Sequence, residues 1–338
     1  MPQPDPCRVV RFHELGGPEV LHLEHEPPQA PQRGEVQLRV EAIALNRADA
    51  MFRRGTYLEK PIFPARSGCE AAGVVTALGE DVADFRIGER VNVIPGASMA
   101  QYGTAADWLT LPARHVVRQP AGLDAPQAAA LWMGFLTAYG ALIEGGRLAA
   151  GQWVLITAAS SSVGLTAIQI ARAVGARPVA TILGERLRPA MMEAGAEAVI
   201  ASDREDLAAR LVEITGDVAA GGGLHVAFDA VGGPQITAIA EAMRPHGTIV
   251  VHGALSPDPT PFPLKVALRN SLSLRGYVYS EVTSNPDVLA RALRFAEEAI
   301  ADGHLVPRID RIFPLDRIVD AHRYLESGQA FGKIILQP

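Results

Sequence analysis

The stretch WVLITAASSSVGLTAIQIARAVGA, from Trp153 to Ala176, decides the fold of this 338-residue chain. It opens with an apolar strand candidate, Trp153–Ala158, passes through a short turn of small residues and enters a helix candidate, Val163–Val174. A strand, a tight turn and a helix in this order are typical of the unit that opens a dinucleotide-binding domain. The stretch therefore predicts a parallel α/β sheet.

The turn inside this stretch departs from the usual G-x-G-x-x-G pattern, whose glycines let the backbone bend tightly and approach a pyrophosphate. Its three positions are Ala159, Ser161 and Gly164, so only the last glycine remains. Free N–H groups and the dipole at a helix start favour phosphate without a glycine at every step. The serines could also serve as helix caps, and the two roles can coexist. The predicted phosphate contacts are Ser160, Ser161, Ser162 and Val163.

Strand and helix signals keep alternating after this unit. The predicted strands are Pro178–Ile182, Ala198–Ile200, Leu224–Asp229 and Thr248–His252, and the predicted helices are Arg186–Ala194, Asp206–Ile214 and Pro234–Met243. This alternation predicts βαβ crossovers and a doubly wound parallel sheet, whose carboxyl strand ends line the ligand crevice. The strand-end candidates for cofactor contact are Leu183, Gly184, Val231, His252, Gly253, Ala254 and Leu255. Asp229 also ends a strand, where we expect it to make structural hydrogen bonds.

The end of the second strand bears on which dinucleotide is bound. NAD enzymes carry an acid there that binds the adenosine ribose. The strand here ends ATILG, and the cations Arg186 and Arg188 follow shortly after, where they could pair with a 2′-phosphate. The missing acid and the two arginines favour NADPH, with NADH left open.

The first 125 residues have a different texture. Strand candidates Val9–Phe12, Val20–Glu26 and Glu35–Leu45 alternate with turns rich in Gly, Pro and Asp, and Asn46–Arg54 is predicted as a short helix. This pattern predicts a mainly β, barrel-like domain. Beyond residue 270 follow a strand candidate at Ser271–Tyr277, a long amphipathic helix at Pro286–Ala301 and a closing strand in GKIILQP.

Composition excludes several function classes. The net charge of −6 and the lack of a basic cluster argue against nucleic-acid binding. Cys7 and Cys69 are the only cysteines, which suits a reducing cytosol rather than a disulfide framework. The first residues do not resemble a signal peptide, and no run reaches the roughly 18 uninterrupted apolar residues of a membrane span. We expect a cytoplasmic protein with no membrane partner.

The ordered set of motifs along the chain resembles the medium-chain dehydrogenase/reductase superfamily, specifically its zinc-free quinone oxidoreductase (zeta-crystallin-like) branch. The motifs are ALNRADAMFRRGTY (44–57), GCEAAGVV (68–75), GERV (88–91), GFLTAYGAL (134–142), the AASSSVG turn and GKIIL (332–336). The resemblance implies a GroES-like β-barrel catalytic domain of residues 1–125 and 271–338 around a Rossmann domain of residues 126–270. It also implies that the nicotinamide lies in a cleft where the two domains meet.

The resemblance also bears on zinc. Zinc-dependent relatives place ligands at positions that correspond here to Asn46, Cys69 and Met133, an amide, a thiol and a thioether. A catalytic zinc needs three dependable Cys, His or carboxylate ligands. We therefore expect no zinc, and an acceptor that is already electrophilic.

Further site residues follow from the resemblance. Asn46 is expected near the nicotinamide and the acceptor, where its amide could donate to a carbonyl, and Tyr57 is expected to donate or to supply a proton. Thr137 matches a position beside the nicotinamide, and Lys333 approaches the cofactor or is only a solvated lysine. The lysine and tyrosine that some relatives use for the 2′-phosphate correspond to Leu187 and Ser202, which weakens the case for NADPH.

Taken together, the sequence predicts NADPH-dependent hydride transfer to a quinone or an α,β-unsaturated carbonyl. The alternatives are a zinc-free alcohol or aldehyde dehydrogenase-reductase and a non-catalytic NADPH-binding scaffold. The resemblance also implies a homodimer, for which the apolar strand around Leu272, Leu274 and Val278 could supply the edge, although the same pattern also suits an internal strand.

Overall fold

The structure is a computed structural model and describes residues Cys7 to Pro338. Its strands are β1 (Cys7–Phe12), β2 (His22–Glu26), β3 (Glu35–Leu45), β4 (Ala65–Arg66), β5 (Ala71–Leu78), β6 (Arg90–Val93), β7 (Trp108–Pro112), β8 (Val116–Arg118), β9 (Trp153–Ile156), β10 (Arg177–Ile182), β11 (Ala198–Ala201), β12 (Leu224–Asp229), β13 (Met243–Val251), β14 (Ser273–Gly276), β15 (Ile309–Pro314) and β16 (Lys333–Gln337).

Its α-helices are α1 (Arg47–Arg53), α2 (Met99–Tyr102), α3 (Ala125–Tyr139), α4 (Ser162–Ala173), α5 (Arg188–Glu193), α6 (Leu207–Thr215), α7 (Gln235–Glu241), α8 (Leu264–Asn270), α9 (Ser280–Thr283), α10 (Pro286–Ala301) and α11 (Ile318–Glu326). A π-helical segment, Gly140–Gly145, follows α3. The chain divides into two compact units. Of the residues that the structure describes, the barrel unit contains 7–133 and 307–338, and the parallel-sheet unit is Gly134–Val306.

The parallel-sheet unit is built on six strands in the order β11-β10-β9-β12-β13-β14, with every neighbouring pair parallel. This order is the 3-2-1-4-5-6 arrangement of dinucleotide-binding domains, and it reverses direction between β9 and β12. The central strand carries Val154, Leu155 and Ile156, all fully buried, as expected for a sheet covered on both faces. The predicted Rossmann fold is confirmed.

The barrel unit holds a seven-stranded sheet in the order β15-β16-β3-β5-β6-β8, with β7 paired to β3. A three-stranded antiparallel sheet, β2-β1-β4, completes it. The long strand β3 pairs with β5, β7 and β16, so one continuous strand organises the unit. Small side chains allow α3 to lie close to this sheet, in a cluster that contains Ala42, Ala44, Ala72, Ala128, Ala129, Ala130 and Ile335. The predicted GroES-like β-barrel is confirmed as a fold class.

The predicted domain boundaries need correction. Residues 271–306 were predicted to lie with the barrel, but β14 pairs in parallel with β13, and the division falls after Val306. The reason is that β13, α8 and β14 form one more βαβ crossover, which extends the parallel sheet by a strand. Residues 126–133, predicted with the Rossmann domain, group with the barrel unit.

One helix in the described chain, Ala125–Gly145, is long and apolar enough to cross a membrane by length and composition alone. In the folded protein, 83% of the most apolar 18-residue stretch of this helix is buried. Burial in the folded chain accounts for this apolar character, as in a core helix of a globular domain.

Candidate functional site

A buried polar network lies in the barrel unit around the start of α1. The Lys333 ammonium is 2.7 Å from Asn46 Oδ1 and 2.8 Å from Glu70 Oε1. The Asn46 amide donates to the same Glu70 oxygen at 2.8 Å, and the Met133 N–H donates to the second Glu70 oxygen at 2.7 Å. Asn46, Glu70 and Lys333 are 6%, 0% and 2% exposed. A buried ion pair needs such additional hydrogen bonds, because both charges have lost their water.

This geometry bears on two predicted roles. Asn46 was expected to present its amide to an acceptor, but that amide points at Glu70, with Cys69 Sγ and the Ala44 carbonyl each 3.4 Å away. The solvated alternative for Lys333 is wrong, because its ammonium is buried between two protein partners, and its approach to the cofactor stays a prediction. Both side chains hold the network together, because a buried polar group is stable only when it is hydrogen-bonded.

Two further groups of the network titrate far from their ordinary ranges. Burial raises the pKa of the Asp49 carboxyl to about 7, and the neighbouring Glu70 adds to the rise. Asp49 Oδ2 accepts the Asn46 N–H at 2.7 Å, which fixes the first turn of α1. Burial, followed by the Asp49 charge, raises the pKa of the Cys69 thiol well above its ordinary value. Cys69 is therefore a neutral thiol in this network.

Tyr57 lies half-buried in the segment between α1 and β4. The segment is anchored on both sides of the tyrosine. Thr56 Oγ1 donates to the Met51 carbonyl at 3.2 Å, and the Glu59 carboxylate accepts the Met99 N–H at 3.0 Å and the Ser98 hydroxyl. These anchors fix the backbone around Tyr57 to α1 and α2.

In the parallel-sheet unit, the turn between β9 and α4 has the features that phosphate binding needs. Ser161 is the N-cap of α4 and its Oγ accepts the Gly164 N–H at 3.0 Å, so the capping role is confirmed for this serine. The N–H groups of Ser162 and Val163 donate to no acceptor in the described chain, which is the usual state of a helix start. A Cβ on Gly164 would lie 2.6 Å from Ala159 Cα, so this glycine is required for close packing of turn and helix.

The ends of β12 and β13 lie beside this turn, because β9 and β12 are neighbours. Asp229 is fully buried and accepts the Thr157 hydroxyl at 2.7 Å, the N–H groups of Val231 and Gly232, and the Gln235 amide. The carboxylate thus shapes the loop that carries Val231, the structural role expected for Asp229.

The predicted contacts after β13 begin with His252, whose ring stacks on Phe228 with centroids 3.8 Å apart. Burial lowers its pKa to about 3, so the imidazole is neutral at physiological pH. A Cβ on Gly253 would lie 2.5 Å from the Ala230 carbonyl, so the two strand ends approach closely at this point. Ala254 and Leu255 follow as exposed residues.

The end of β10 separates the two predicted arginines. Arg188 is held by Glu185, by Glu205 at 2.6 Å and by the Val199 carbonyl, and the two carboxylates raise the pKa of its guanidinium. Arg188 was predicted to bind a 2′-phosphate, but its guanidinium is already bound to these protein groups, which contradicts that role. Arg186 is exposed and makes no hydrogen bond or ion pair within residues 7–338. Leu183, 79% exposed, and Gly184, at φ +63°, form the open turn before it.

Thr137, the remaining predicted contact, is a buried residue of α3. The structure thus assembles the predicted serines, the β10 turn and the β12 and β13 ends along the carboxyl edge of one sheet. It places Asn46 and Lys333 together in the barrel unit.

Sequence reasoning missed Glu70 and Asp203. Glu70 pairs with Lys333, and Asp203 Oδ1 accepts the Gly184 N–H at 2.7 Å. The available signal for Glu70 was a charge in the apolar segment GCEAAGVV, because a buried carboxylate requires a partner. Asp203 follows β11 whereas Gly184 follows β10, and no local sequence pattern indicated that these two strand ends meet.

A cavity of about 680 Å³ lies elsewhere in the barrel unit and is lined by residues that include Arg11, Glu26, Arg66 and Trp108. None of the predicted site residues lines it.

Comparison with known proteins bears on the whole chain. Residues 32–121 match a family described as an alcohol dehydrogenase GroES-like domain, and residues 194–336 match one described as a zinc-binding dehydrogenase. A quinone oxidoreductase of Lama guanicoe is 31% identical, with 97% of each chain covered. A synaptic vesicle membrane protein VAT-1 homolog of Rattus norvegicus is 28% identical over 98% of this chain and 84% of its own. The crystal structure of Escherichia coli quinone oxidoreductase complexed with NADPH superposes with a TM-score of 0.88 at 29% identity, covering 98% of this chain and 100% of that one.

Proposed function

Because this chain belongs to the medium-chain dehydrogenase/reductase superfamily, in its quinone oxidoreductase branch, we propose that it reduces a quinone or an α,β-unsaturated carbonyl with NADPH and without zinc. The observation that carries the zinc-free mechanism is the Lys333–Glu70 pair, with Asn46 bound to both partners. Of the relatives' three zinc-ligand positions, Asn46 and Met133 each donate to Glu70, and Cys69 Sγ lies 3.4 Å from the Asn46 amide.

The parallel-sheet unit fits a nicotinamide dinucleotide. The free N–H groups of Ser162 and Val163 point out of the start of a 12-residue helix, where a pyrophosphate gains hydrogen bonds and the favourable end of the helix dipole. Gly164 keeps the backbone close, as the third glycine of the usual motif does. When bound, NADPH supplies a hydride. The chain's own residues hold and orient the dinucleotide.

Zinc does not fit the donor set. Asn46 offers a neutral amide that is already hydrogen-bonded, Cys69 supplies a single thiol, and Glu70 is paired with an ammonium. Within residues 7–338, no group of three or more His, Cys, Asp and Glu side chains is arranged to hold a metal ion. A quinone or enone suits such a site, because its own oxygen accepts the charge as an enolate when carbon takes the hydride.

We assign Tyr57 as the residue that donates to this oxygen. Its backbone is anchored through Thr56 and Glu59, and it is the second residue, beside Asn46, that the family resemblance places on the acceptor side. A Tyr57→Phe variant is expected to lose turnover while its NADPH affinity stays unchanged.

The deciding assay follows NADPH and NADH oxidation against quinones, enones and aldehydes, with and without a chelator, alongside elemental analysis of the purified protein. We expect quinone or enone reduction that the chelator leaves intact. Loss of activity with chelator, or one zinc per chain, would contradict the zinc-free mechanism. Efficient oxidation of simple alcohols would favour a dehydrogenase, and cofactor binding without turnover of any acceptor would favour a scaffold.

We also propose a cytoplasmic homodimer. Strand β14 is the last strand of the parallel sheet in the described chain, and Leu264 and Leu268 of the preceding helix are 56% and 72% exposed. An open strand edge beside exposed apolar side chains suits pairing with a second copy. Light scattering on the eluting protein tests this, and a monomer mass at micromolar concentration would contradict it.

A further inference from the structure

Two loops lie side by side at the carboxyl edge of the parallel sheet. The loop after β11 returns to the end of β10, where the Ser202 N–H donates to the Ile182 carbonyl at 3.0 Å. One residue later, Asp203 Oδ1 accepts the Gly184 N–H at 2.7 Å. These bonds fix residues 184–186 and 202–204 next to each other, at the position where a dinucleotide's adenosine ribose binds in this fold.

The cations of these loops differ in what they already bind. Arg188 is occupied by Glu185 and Glu205. The Arg204 side chain is 64% exposed, and its nearest carboxylate oxygen, on Asp203, is 3.8 Å from Nε. Arg186 is exposed and unpaired within residues 7–338. Arg204 follows directly on Ser202 and Asp203, whose hydrogen bonds to Ile182 and Gly184 place it beside the first loop.

We propose that Arg186 and Arg204 together bind the 2′-phosphate of NADPH and that Arg204 is a specificity-determining residue, an inference that rests on the proposed function. The relatives' lysine and tyrosine correspond to Leu187 and Ser202, and leucine has no donor to offer. A phosphate monoester at this edge carries close to two negative charges, and guanidinium groups bind it through paired N–H donors. The two solvent-exposed guanidinium groups of Arg186 and Arg204 supply two positive charges, which balance the charge of the phosphate.

Asp203 has a different task in this arrangement. Its carboxylate holds the backbone of Gly184, which adopts a left-handed φ of +63°, and so keeps the two arginine-bearing loops together. The competing assignment makes Asp203 the acid that binds the ribose hydroxyls, which would favour NADH. The two assignments predict different binding of adenosine nucleotides.

Calorimetry of the full chain with 2′,5′-ADP and with 5′-AMP separates the 2′-phosphate from the rest of the nucleotide. We expect Arg186→Ala and Arg204→Ala each to weaken 2′,5′-ADP binding about tenfold, since hydrogen bonds to charged groups are among the strongest, and to leave 5′-AMP binding unchanged. Arg294→Ala is the matched control, because Arg294 is exposed and unpaired in the described chain but lies on α10. Unchanged 2′,5′-ADP binding in both variants, or equal losses for the two nucleotides, overturns the proposal.

Asp203→Asn tests the competing assignment, because asparagine still accepts the Gly184 N–H. We expect unchanged 5′-AMP binding and 2′,5′-ADP binding that is unchanged or tighter. Weaker 5′-AMP binding would assign Asp203 to the ribose and overturn our account of it. The binding experiment can be separated from catalysis. Selective 2′,5′-ADP binding without reduction of any acceptor would refute the proposed function and leave this inference intact. NADPH turnover that neither arginine variant changes would refute this inference and leave the proposed function intact.

Discussion

The buried network of the barrel unit and the carboxyl edge of the parallel sheet differ in whether their polar groups already have hydrogen-bond partners within the protein. Asn46, Glu70 and Lys333 bind one another and are almost fully buried. At the sheet edge, Ser162 and Val163 keep free N–H groups and Arg186 is unpaired in the described chain. Ligand recognition needs unsatisfied groups, whereas a satisfied buried network fixes a local structure.

This difference changes the interpretation of residues that a family resemblance singles out. Asn46 and Lys333 stand at positions expected near the reacting groups, yet their polar atoms are engaged within the protein. We therefore expect them to act on an acceptor mainly through the position of α1 and of the segment that follows it. The sheet edge, by contrast, offers direct contacts.

The largest expected effect comes from breaking the network. Lys333→Met removes the ammonium and leaves Glu70 buried without its charge partner, which typically costs about 3–5 kcal/mol. Chemical denaturation should show a loss of unfolding free energy of that order.

The matched control is the double variant Glu70→Gln with Lys333→Met, which removes both charges. Because the Met133 N–H can still donate to a glutamine oxygen, we expect this variant to recover much of the lost stability. If both variants lose the same amount, the charge pair is not what holds the network.

The network also predicts a pH dependence through Asp49. Its pKa is raised in the folded chain to about 7, so the folded state favours the protonated carboxyl. The corresponding stability is fully present below about pH 4, the ordinary range of the group, and is lost as the pH rises through 7. At one pKa unit per 1.4 kcal/mol, the loss is roughly 4 kcal/mol at most.

Asp49→Asn should flatten this dependence, since an amide does not titrate. We expect the melting temperature of the variant, relative to the natural chain, to rise steadily from pH 4 to pH 8. A constant difference across that range would show that Asp49 is ionised at low pH in the fold.

Local patterns predicted much of this fold. The bounds of β3, β12 and α10 agree with the sequence prediction to the residue, because turn residues flank the strands and Asn285 caps α10 just before Pro286. The domain boundary was misplaced, because nothing local to residues 273–276 indicates which sheet they join. Strand pairing is decided by distant residues.

The same distinction between local and distant residues applies to the candidate site. The turn at residues 159–164 was found because its elements are adjacent in sequence. The partnership of Glu70 and Lys333 was not, since 263 residues separate them. The environment of Arg188 escaped prediction for the same reason, as Glu205 belongs to the next crossover.

A smaller effect is expected at the sheet edge from Gly164→Ala. The added Cβ would meet Ala159 Cα at 2.6 Å and the Ala159 carbonyl at 2.7 Å, which are backbone atoms and cannot move aside cheaply. We expect a loss of about 1–3 kcal/mol of stability together with weaker NADPH binding, because the turn must open. Gly276→Ala, where the new Cβ meets nothing within 4 Å, is the control and should leave both unchanged. If Gly164→Ala bound NADPH normally, the pyrophosphate would not bind at the turn between β9 and α4.

The smallest effect separates the two roles of the serines. Ser161→Ala removes the side-chain cap of α4 and should cost about 1 kcal/mol, while Ser161→Gly should cost only a few tenths, because glycine is tolerated at an N-cap. Ser160 makes no side-chain hydrogen bond in the described chain, so Ser160→Ala should leave the unfolding free energy unchanged. NADPH titrations of the three variants then report phosphate contact separately from stability. A weaker NADPH affinity in Ser160→Ala assigns that hydroxyl to the ligand, whereas affinities that merely follow the unfolding free energies would confine both serines to capping.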